Sequence, residues 1–303
     1  MKRIIILIPY FGKFPDWVEL FFYSIKLNST IDFCIITDCD FSSINENNIK
    51  LIKSSYEDYI KLVSDKLDVK FNPISPYKIC DVRPFFGIIH ADLIKGYDFF
   101  GWTDMDILFG DIRSFYNQKI LNSFEVLSTH AIRISGHLAL FRNNKKNIDI
   151  GKKIYRWKSV LENPNFVGID EHGITNAYLE TFLHKLNDKF KIGINENILN
   201  FLSKLKRRKM FMMEQYTTPF TTIPWIDGTI NSMHPEEWCF ENGIITNKRD
   251  GVRKFMYLHF MNFKSSQWRH DGSKAPWESA FIYEVVNFDS KIIINSKGIY
   301  NAK

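Results

Sequence analysis

Residues 97–112, YDFFGWTDMDILFGDI, place two aspartates, Asp104 and Asp106, inside an otherwise apolar run. The run predicts a buried strand that carries acids at its end. Side chains two positions apart on an extended segment lie on the same side, so the two carboxylates are predicted to face one point beyond the strand. Ligands of open α/β sheets bind at the carboxyl ends of the strands. The stretch therefore predicts a ligand site at one edge of an α/β sheet.

The segments that precede this stretch follow a strand–helix–strand order. Residues 3–8 and 33–37 are short apolar runs rich in β-branched side chains, which is typical of strands covered on both faces. Residues 16–27, between them, have the apolar spacing of a helix. Such an order predicts a mainly parallel central sheet flanked by helices. Further strands are predicted at 69–74, 124–130 and 136–143, and further helices within 44–67 and at 87–95, 145–163 and 170–187.

Length and composition indicate a chain with a substantial core. Of 303 residues, 45% are hydrophobic and 24% are charged, and the formal net charge is +6. This excludes a disordered chain, and the four cysteines, predicted to be reduced, are too few for a disulfide-stapled mini-protein. Residues 1–195 are predicted to form the core and residues 196–303 a C-terminal helical and aromatic extension, together making one continuous catalytic domain. Strands and aromatic loops of the extension are predicted at 222–228, 236–243 and 255–263.

The paired acids indicate a metal. Two neighbouring carboxylates repel each other and raise each other's pKa unless a cation lies between them. A hard divalent ion with oxygen ligands, Mn²⁺ or Mg²⁺, meets that need and can bridge to a diphosphate. A solvated turn is the alternative interpretation, but the apolar residues on both sides of Asp104 and Asp106 disfavour it. The pattern therefore predicts a divalent-metal site that binds a diphosphate.

Four motifs carry a family resemblance. They are PYFG at 9–12, Thr37-Asp38 at the end of the second strand, YKICDVRPFFG at 77–87, and the block at 96–112 that contains the DxD. Together they resemble the GT-A glycosyltransferases of bacterial surface-polysaccharide synthesis (capsule or O-antigen), most densely over residues 1–145. The resemblance implies a GT-A-like fold and a hexosyltransferase with a nucleotide-sugar donor, a UDP-sugar ahead of a guanosine one. It also implies a saccharide or lipid-linked oligosaccharide acceptor.

The same resemblance implies roles for individual residues. Asp106 would hold the metal, Asp104 the metal or the donor's ribose, and His259 would complete the metal site. Asp170 and Glu171 would be the catalytic acids, acting as base in an inverting enzyme, and as a stabilising or nucleophilic carboxylate in a retaining one. The residues implied to bind the donor, besides Asp104, are Pro9, Tyr10, Phe11, Asp38, Lys78, Asp81, Arg83, His137 and Lys264.

The sequence also bears on location. No signal peptide is predicted, because the apolar run at the N-terminus is short and ends at Pro9. No run approaches the ~18 apolar residues of a membrane-spanning helix, so the chain is predicted to be cytoplasmic. Residues 204–213 combine five basic side chains with apolar neighbours and are predicted to make a peripheral contact with the cytoplasmic face of the inner membrane. A solvated helix face is the alternative.

Two other classes of function compete with glycosyl transfer. A nucleotidyltransferase or a phosphohydrolase also uses paired acids with divalent ions, although the sequence has no GxxxxGK[ST] loop and no DxD directly after the first strand. A nucleic-acid binder would use the basic surplus. Outside residues 204–209, however, the basic residues are scattered and no nucleic-acid motif occurs, so no nucleic-acid partner is predicted.

Overall fold

The structure of the protein is a computed structural model that describes residues 1–40, 46–213, 237–268, 272, 274–278 and 282–302. The strands in these residues are β1 (Ile4–Tyr10), β2 (Asp32–Thr37), β3 (Ile49–Lys53), β4 (Phe99–Thr103), β5 (Ile107–Phe109), β6 (Val126–Ser128), β7 (Leu138–Arg142), β8 (Met210–Met212), β9 (Glu237–Glu241), β10 (Ile244–Asn247), β11 (Tyr257–His259), β12 (Ile282–Glu284), β13 (Ile292–Asn295) and β14 (Gly298–Asn301). The predicted strand region at 222–228 lies outside the described residues.

The helices of the same residues are mostly short. They are α1 (Val18–Leu27), α2 (Tyr56–Leu67), α3 (Phe86–Ile89), α4 (Ile112–Phe115), α5 (Gln118–Ser123), α6 (Lys145–Ile148), α7 (Trp157–Glu162), α8 (Ile174–Leu179), α9 (Phe182–Phe190), α10 (Glu196–Arg207) and α11 (Met261–Lys264). Segments of 3₁₀ helix cover Pro76–Phe85, Ile150–Lys153, Ser266–Trp268 and Pro276–Glu278, and a π-helical turn covers Ile169–Gly173.

Within the described residues, seven strands form the central sheet, in the order β3-β2-β1-β4-β7-β6-β8. β7 runs antiparallel to β4 and β6, and the other strands run in one direction. The predicted α/β class, with a mainly parallel central sheet flanked by helices, is confirmed. Because Tyr10 is in register with Thr37, the carboxyl ends of β1 and β2 meet at one edge of the sheet, the edge at which β4 also ends.

The central sheet is buried on both faces. Along β1, Ile5 and Leu7 belong to the apolar cluster that includes Tyr59 of α2. Ile6, on the opposite face, belongs to the cluster that includes Phe21 of α1. This burial explains why β1 is a continuous apolar run rather than an alternating one.

The C-terminal part adds two smaller sheets among the described residues. One has five strands, in the order β10-β9-β13-β14-β12, and packs its aromatic core, including Trp238 and Phe240, against Trp17. The other pairs β5 with β11 in antiparallel register, so that Ile107 lies opposite His259. This pairing attaches the C-terminal part to the chain directly after the DxD.

The third strand is not where the sequence predicts it. The prediction of a strand at 69–74 is wrong, and β3 lies at Ile49–Lys53, paired in parallel with β2. Phe71 is buried, but its N–H donates to Val69 and to Ser64 rather than to a neighbouring strand. Pro73 has no N–H to give to a ladder. Residues 69–74 therefore pack on the core as irregular chain.

Three predicted helices are shorter than expected. Only α3 forms within 87–95. The prediction at 145–163 breaks into α6, a 3₁₀ segment and α7, and Arg156, which has a left-handed φ of +50°, separates the last two. The prediction at 170–187 breaks before Thr181, whose side chain and backbone form a capping box that begins α9.

Candidate active site and metal centre

The two aspartates of the DxD lie in a bend between two strands. β4 ends at Thr103 and β5 begins at Ile107, so the predicted continuous strand is interrupted at the acids. The N–H of Asp104 and the hydroxyl of Thr103 both donate to the carbonyl of His137, over 3.1 and 2.9 Å. The bend, and not the alternation of an extended strand, therefore orients the carboxylates of Asp104 and Asp106.

Pairing of β5 with β11 brings His259 to the same place. The N–H of Phe260 donates to the carbonyl of Asp106 over 2.7 Å, and Nε2 of His259 lies 3.5 Å from Oδ2 of Asp106. One ligand atom from each of Asp104, Asp106 and His259 lies within 4.8 Å of the other two. In the described part of the chain, this is the one group of three such side chains close enough to hold a metal ion. Asp106 and His259 are buried, and Asp104 is partly exposed.

The donor atoms of this cluster suit a divalent ion. The three ligand atoms, all within 4.8 Å of one another, are close enough that the side chains would hold one ion together. Carboxylate oxygens suit Mg²⁺ and Mn²⁺, whereas an imidazole nitrogen suits transition-metal ions. The set of two carboxylates and one imidazole therefore fits a divalent metal ion.

Lys264, at the end of α11, lies directly beside the cluster. Its Nζ is 2.6 Å from Oδ2 of Asp106. Burial alone would raise the pKa of Asp106, but Lys264 and His259 hold that pKa well below its usual range. Asp106 is therefore a carboxylate at neutral pH, as a metal ligand must be.

His137 supports the cluster from behind. Its ring stacks on that of His259 at 4.3 Å, its Nε2 is 2.7 Å from the hydroxyl of Tyr257, and its Nδ1 is 3.1 Å from that of Ser135. Burial, followed by the nearby His259, lowers the pKa of His137 well below its usual value, so the ring is neutral. The sequence predicts a hydroxyl contact of donor or acceptor for this residue, but the structure surrounds its ring with protein.

Arg83 joins the DxD to the predicted catalytic acid. One of its nitrogens donates to Oδ2 of Asp170 over 3.0 Å and to the carbonyl of Gly136 over 2.6 Å. The other donates to Oδ1 of Asp104. Burial raises the pKa of Asp170 to about 7 although Arg83 opposes the change. Asp170 therefore changes charge near neutral pH, which suits a group that exchanges a proton during a reaction.

Glu171 follows Asp170 in the π-helical turn but faces other partners. Its Oε1 accepts from the N–H of Gly136 over 3.1 Å, and its Oε2 accepts from Arg133 over 3.0 Å. A Cβ on Gly136 would lie 3.1 Å from that Oε1 and 3.2 Å from Oδ2 of Asp170. Glycine therefore lets the two acids approach the chain between β6 and β7.

Lys78 and Asp81 lie in the core beneath the site. Their side chains form a buried ion pair, with Lys78 Nζ 2.8 Å from Asp81 Oδ2. Asp81 also accepts the N–H groups of Val167, Gly168 and Ile169 over 2.7–3.0 Å. The sequence predicts donor contacts for both residues, but the structure does not bring them to the cavity. They instead anchor the backbone that directly precedes Asp170.

A cavity of about 320 Å³ opens beside the DxD at the carboxyl edge of the central sheet. Its lining combines an apolar wall with a charged end. The predicted residues that line it are Pro9, Tyr10, Phe11, Arg83, Asp104, Asp106 and Lys264. Asp38 lies at the end of β2, where it accepts the N–H of Gly12 over 2.8 Å and orders the loop after β1 without lining the cavity.

Two further lining residues escaped sequence reasoning. Trp17 lies under the cavity, and its indole N–H donates to the carbonyl of Met105, the residue between the two acids, over 3.1 Å. The sequence gives it only as part of an amphipathic helix. Tyr77 lines the cavity edge-on to Phe166, with ring centroids 4.6 Å apart. The only feature of the sequence that could have indicated Tyr77 is its position as the first residue of the motif YKICDVRPFFG.

The sequence model of one protein family matches residues 6–288. That family is described as a family of unknown function, DUF6625. The chain belongs to the DUF6625 family. A search of curated protein sequences found no match for it. In the residues that the structure describes, none of the helices of this DUF6625 protein has both the length and the apolar character that a membrane crossing requires.

Several solved structures are similar to this DUF6625 chain. The galactosyltransferase LgtC, solved with donor and acceptor sugar analogs, is 10% identical, with 86% of this chain and 87% of that chain covered and a TM-score of 0.42. The glycosyltransferase GlyE of Streptococcus pneumoniae TIGR4 is 13% identical over 72% of this chain and 46% of its own, with a TM-score of 0.34. Mouse xyloside xylosyltransferase 1 is 8% identical, with 72% of this chain and 86% of that chain covered and a TM-score of 0.30. Likenesses this distant do not decide the reaction, which has to be inferred from the residues of the site.

Proposed function

We propose that this protein is a metal-dependent glycosyltransferase. It transfers a hexose-type sugar from a nucleoside-diphosphate donor, a UDP-sugar, to a saccharide or lipid-linked saccharide acceptor in bacterial surface-polysaccharide synthesis. The observation that carries the proposal is that Asp104, Asp106 and Lys264 line one cavity together, with His259 close enough to complete a metal site. Arg83 lines the same cavity and connects Asp104 to Asp170.

Transfer of a sugar from a nucleoside diphosphate needs positive charge at the leaving group. Negative charge grows on the departing diphosphate in the transition state, and fixed charges placed there lower the barrier. A divalent ion held by Asp104, Asp106 and His259 would supply Lewis-acid neutralisation when bound. Lys264, whose Nζ is 2.6 Å from Asp106, contributes a second positive charge at the same end of the cavity.

The apolar lining suits the nucleoside of a nucleotide-sugar. Pro9, Tyr10 and Phe11 line the cavity at the end of β1, and we expect them to pack against the nucleoside. Tyr10 is held in place because its hydroxyl donates to the carbonyl of Lys13 over 2.8 Å. Arg83 also lines the cavity, and its guanidinium can hold diphosphate or sugar oxygens in a fixed geometry.

Asp170 does not itself line the cavity, but Arg83 connects it to the lining, and we expect it to act on the transferred sugar or on the acceptor. Its carboxylate is held by Arg83, and its pKa of about 7 leaves a large fraction ionised at neutral pH. As a base it would remove the acceptor's proton, with inversion; as a carboxylate facing the anomeric carbon it would support retention. The anomeric configuration of the product, read by NMR, separates these two mechanisms.

An assay of UDP release tests the proposal. The purified chain is incubated with a panel of UDP-sugars and saccharide acceptors, with Mn²⁺ and with a chelator. We expect Mn²⁺-dependent UDP release that falls about 100-fold or more in Asp106→Asn, since loss of a metal ligand removes several kcal/mol of transition-state stabilisation. Asp92→Asn, a change of the same kind at an exposed position, is the matched control.

The competing metal-enzyme class gives a different product in the same assay. Release of pyrophosphate would indicate a nucleotidyltransferase, and release of inorganic phosphate a phosphohydrolase. Either product, formed in place of UDP and lost in Asp106→Asn, would overturn glycosyl transfer while leaving the metal site intact.

A further inference from the structure

A second cavity, of about 370 Å³, lies far from the candidate active site. It is enclosed by α6, α8, α10 and the first residues of β6 and β8. β6 runs in the same direction as β4, so its first residue, Val126, lies at the edge of the sheet opposite to the DxD. The second cavity and the DxD therefore lie at opposite ends of the strands of the central sheet.

The lining of this second cavity is apolar at the bottom and basic at the rim. The bottom is formed by side chains that are buried in the core, namely Val126, Ile150, Ala177, Tyr178 and Met210. The rim carries four lysines, Lys146, Lys153, Lys206 and Lys209, and one acid, Glu125. Glu125 is 2.9 Å from Lys146 and 3.5 Å from Lys209. The side chains that line the rim are therefore mainly basic.

Helix α10 extends the apolar surface outward from the rim. Ile198, Phe201 and Leu205 follow each other at helical spacings of three and four residues, and they are 51%, 59% and 39% exposed. Leu205 is itself part of the cavity lining. An exposed apolar stripe thus leads directly to a ring of lysines, which is the arrangement of helices that lie on anionic membranes.

The sequence predicts a membrane contact at 204–213. Met210–Met212 form β8, the edge strand of the central sheet, in which Met210 is buried and Phe211 and Met212 are partly buried. The more exposed apolar side chains next to these basic residues are those of α10.

We propose that the lysine-rimmed cavity binds the phosphate headgroup of an anionic phospholipid while the α10 stripe rests on the bilayer. Charge complementarity favours a phosphate at the rim, and the apolar bottom and stripe favour acyl chains over a free anion. The inference does not depend on the proposed reaction, because it concerns a different edge of the molecule and is tested by binding alone.

Vesicle sedimentation of the full chain tests this site. We expect binding to phosphatidylcholine vesicles that contain phosphatidylglycerol and none to phosphatidylcholine alone. Lys153→Gln combined with Lys209→Gln should weaken binding about 30-fold, since each lysine near an anionic surface contributes about a factor of five. The control variant combines Lys50→Gln with Lys53→Gln, which makes the same charge change on β3. β3 and β8 are the two outermost strands of the central sheet, so this control lies far from the cavity and should leave binding within about twofold.

A second variant tests the apolar part of the site. Phe201→Ser keeps every charge and should still weaken vesicle binding, and thermal unfolding of each variant verifies its fold. Equal losses in the two lysine pairs would overturn the proposal, as would binding to uncharged vesicles. If inorganic pyrophosphate bound at the rim as tightly as the vesicles do, the site would be one for a soluble anion. If the wild type were a dimer and Phe201→Ser were not, the α10 stripe would be a contact between copies of the chain. Either result would overturn the proposal. UDP release is expected to be unchanged in all of these variants, which separates this test from that of the reaction.

Discussion

Replacing Asp81 by asparagine removes the charge that balances Lys78 in the core. Both side chains are almost completely buried, at 0% and 1% exposure. The carboxylate of Asp81 accepts four hydrogen bonds, one from Lys78 and three from the N–H groups of residues 167–169. In Asp81→Asn the ammonium of Lys78 keeps one described acceptor, the carbonyl of Val160 at 2.8 Å. A buried charge is then left without its counterion.

The expected loss of stability is large for one substitution. Removing one partner of a buried ion pair costs about 3–5 kcal/mol, because the remaining charge stays in a medium of low dielectric constant. For a chain of this size the loss corresponds to a fall of roughly 6–10 °C in the midpoint of thermal unfolding. Removing both charges, in Lys78→Met combined with Asp81→Asn, should recover part of the loss.

Thermal and urea unfolding of the four chains of this double-mutant cycle measure the coupling directly. Asp68→Asn, which breaks the exposed ion pair to Lys158, is the control and should leave the midpoint nearly unchanged. Hydrogen exchange provides a local readout, since the amides of residues 167–169 should lose protection in Asp81→Asn. An Asp81→Asn chain as stable as the wild type, or a double variant no better than the single one, would refute a buried charge pair that anchors the segment before Asp170.

Four further predictions concern the candidate site. The value of kcat/KM should fall as the pH drops below about 7, because burial raises the pKa of Asp170 to about 7 and the carboxylate is the active form. Asp170→Asn should remove this pH dependence and lower kcat by a factor of about 10²–10⁴. Because the pKa of Asp170 is raised from 3.8 to about 7, its contribution to the free energy of unfolding should decline as the pH rises from about 4 to 7 and stay constant above 7, which urea titrations at several pH values can check. Gly136→Ala, whose new Cβ would lie 3.1 Å from Glu171 and 3.2 Å from Asp170, should cost about 1–3 kcal/mol in urea unfolding and reduce turnover, and a variant of wild-type activity would contradict the close packing of the two acids. Lys264→Met should weaken UDP binding in calorimetry by about tenfold, the value of a charge-assisted contact, and an unchanged affinity would place the diphosphate elsewhere.

The strands that fix the fold could be predicted because each is a continuous apolar run. β1, β2 and β4 are buried on both faces, and for this reason they consist mainly of consecutive apolar residues. β3, IKLIK, is a half-exposed edge strand in which two of the five residues are lysines, and the sequence favours residues 69–74 in its place. An edge strand depends on its one neighbour, β2, and a single sequence does not reveal that pairing.

The candidate site shows the same division between what the sequence encodes and what packing decides. The acids of the DxD could be predicted as site residues because burying a charge in an apolar run is unfavourable unless the charge has a partner. Whether a charged residue of a motif faces a ligand or the core is decided by packing. Lys78 and Asp81 lie in the same motif as Arg83, yet only Arg83 reaches the cavity. The ring of His137 likewise packs behind His259.

Mn²⁺ binding, measured by electron paramagnetic resonance in the wild type and in Asp106→Asn, tests the central claim most directly. The account predicts one Mn²⁺ site in the wild type, tighter when UDP is present, and at least about tenfold weaker in the variant. The same Mn²⁺ affinity in both proteins, or an affinity that UDP leaves unchanged in the wild type, would contradict a metal and a diphosphate held together at Asp104, Asp106 and His259.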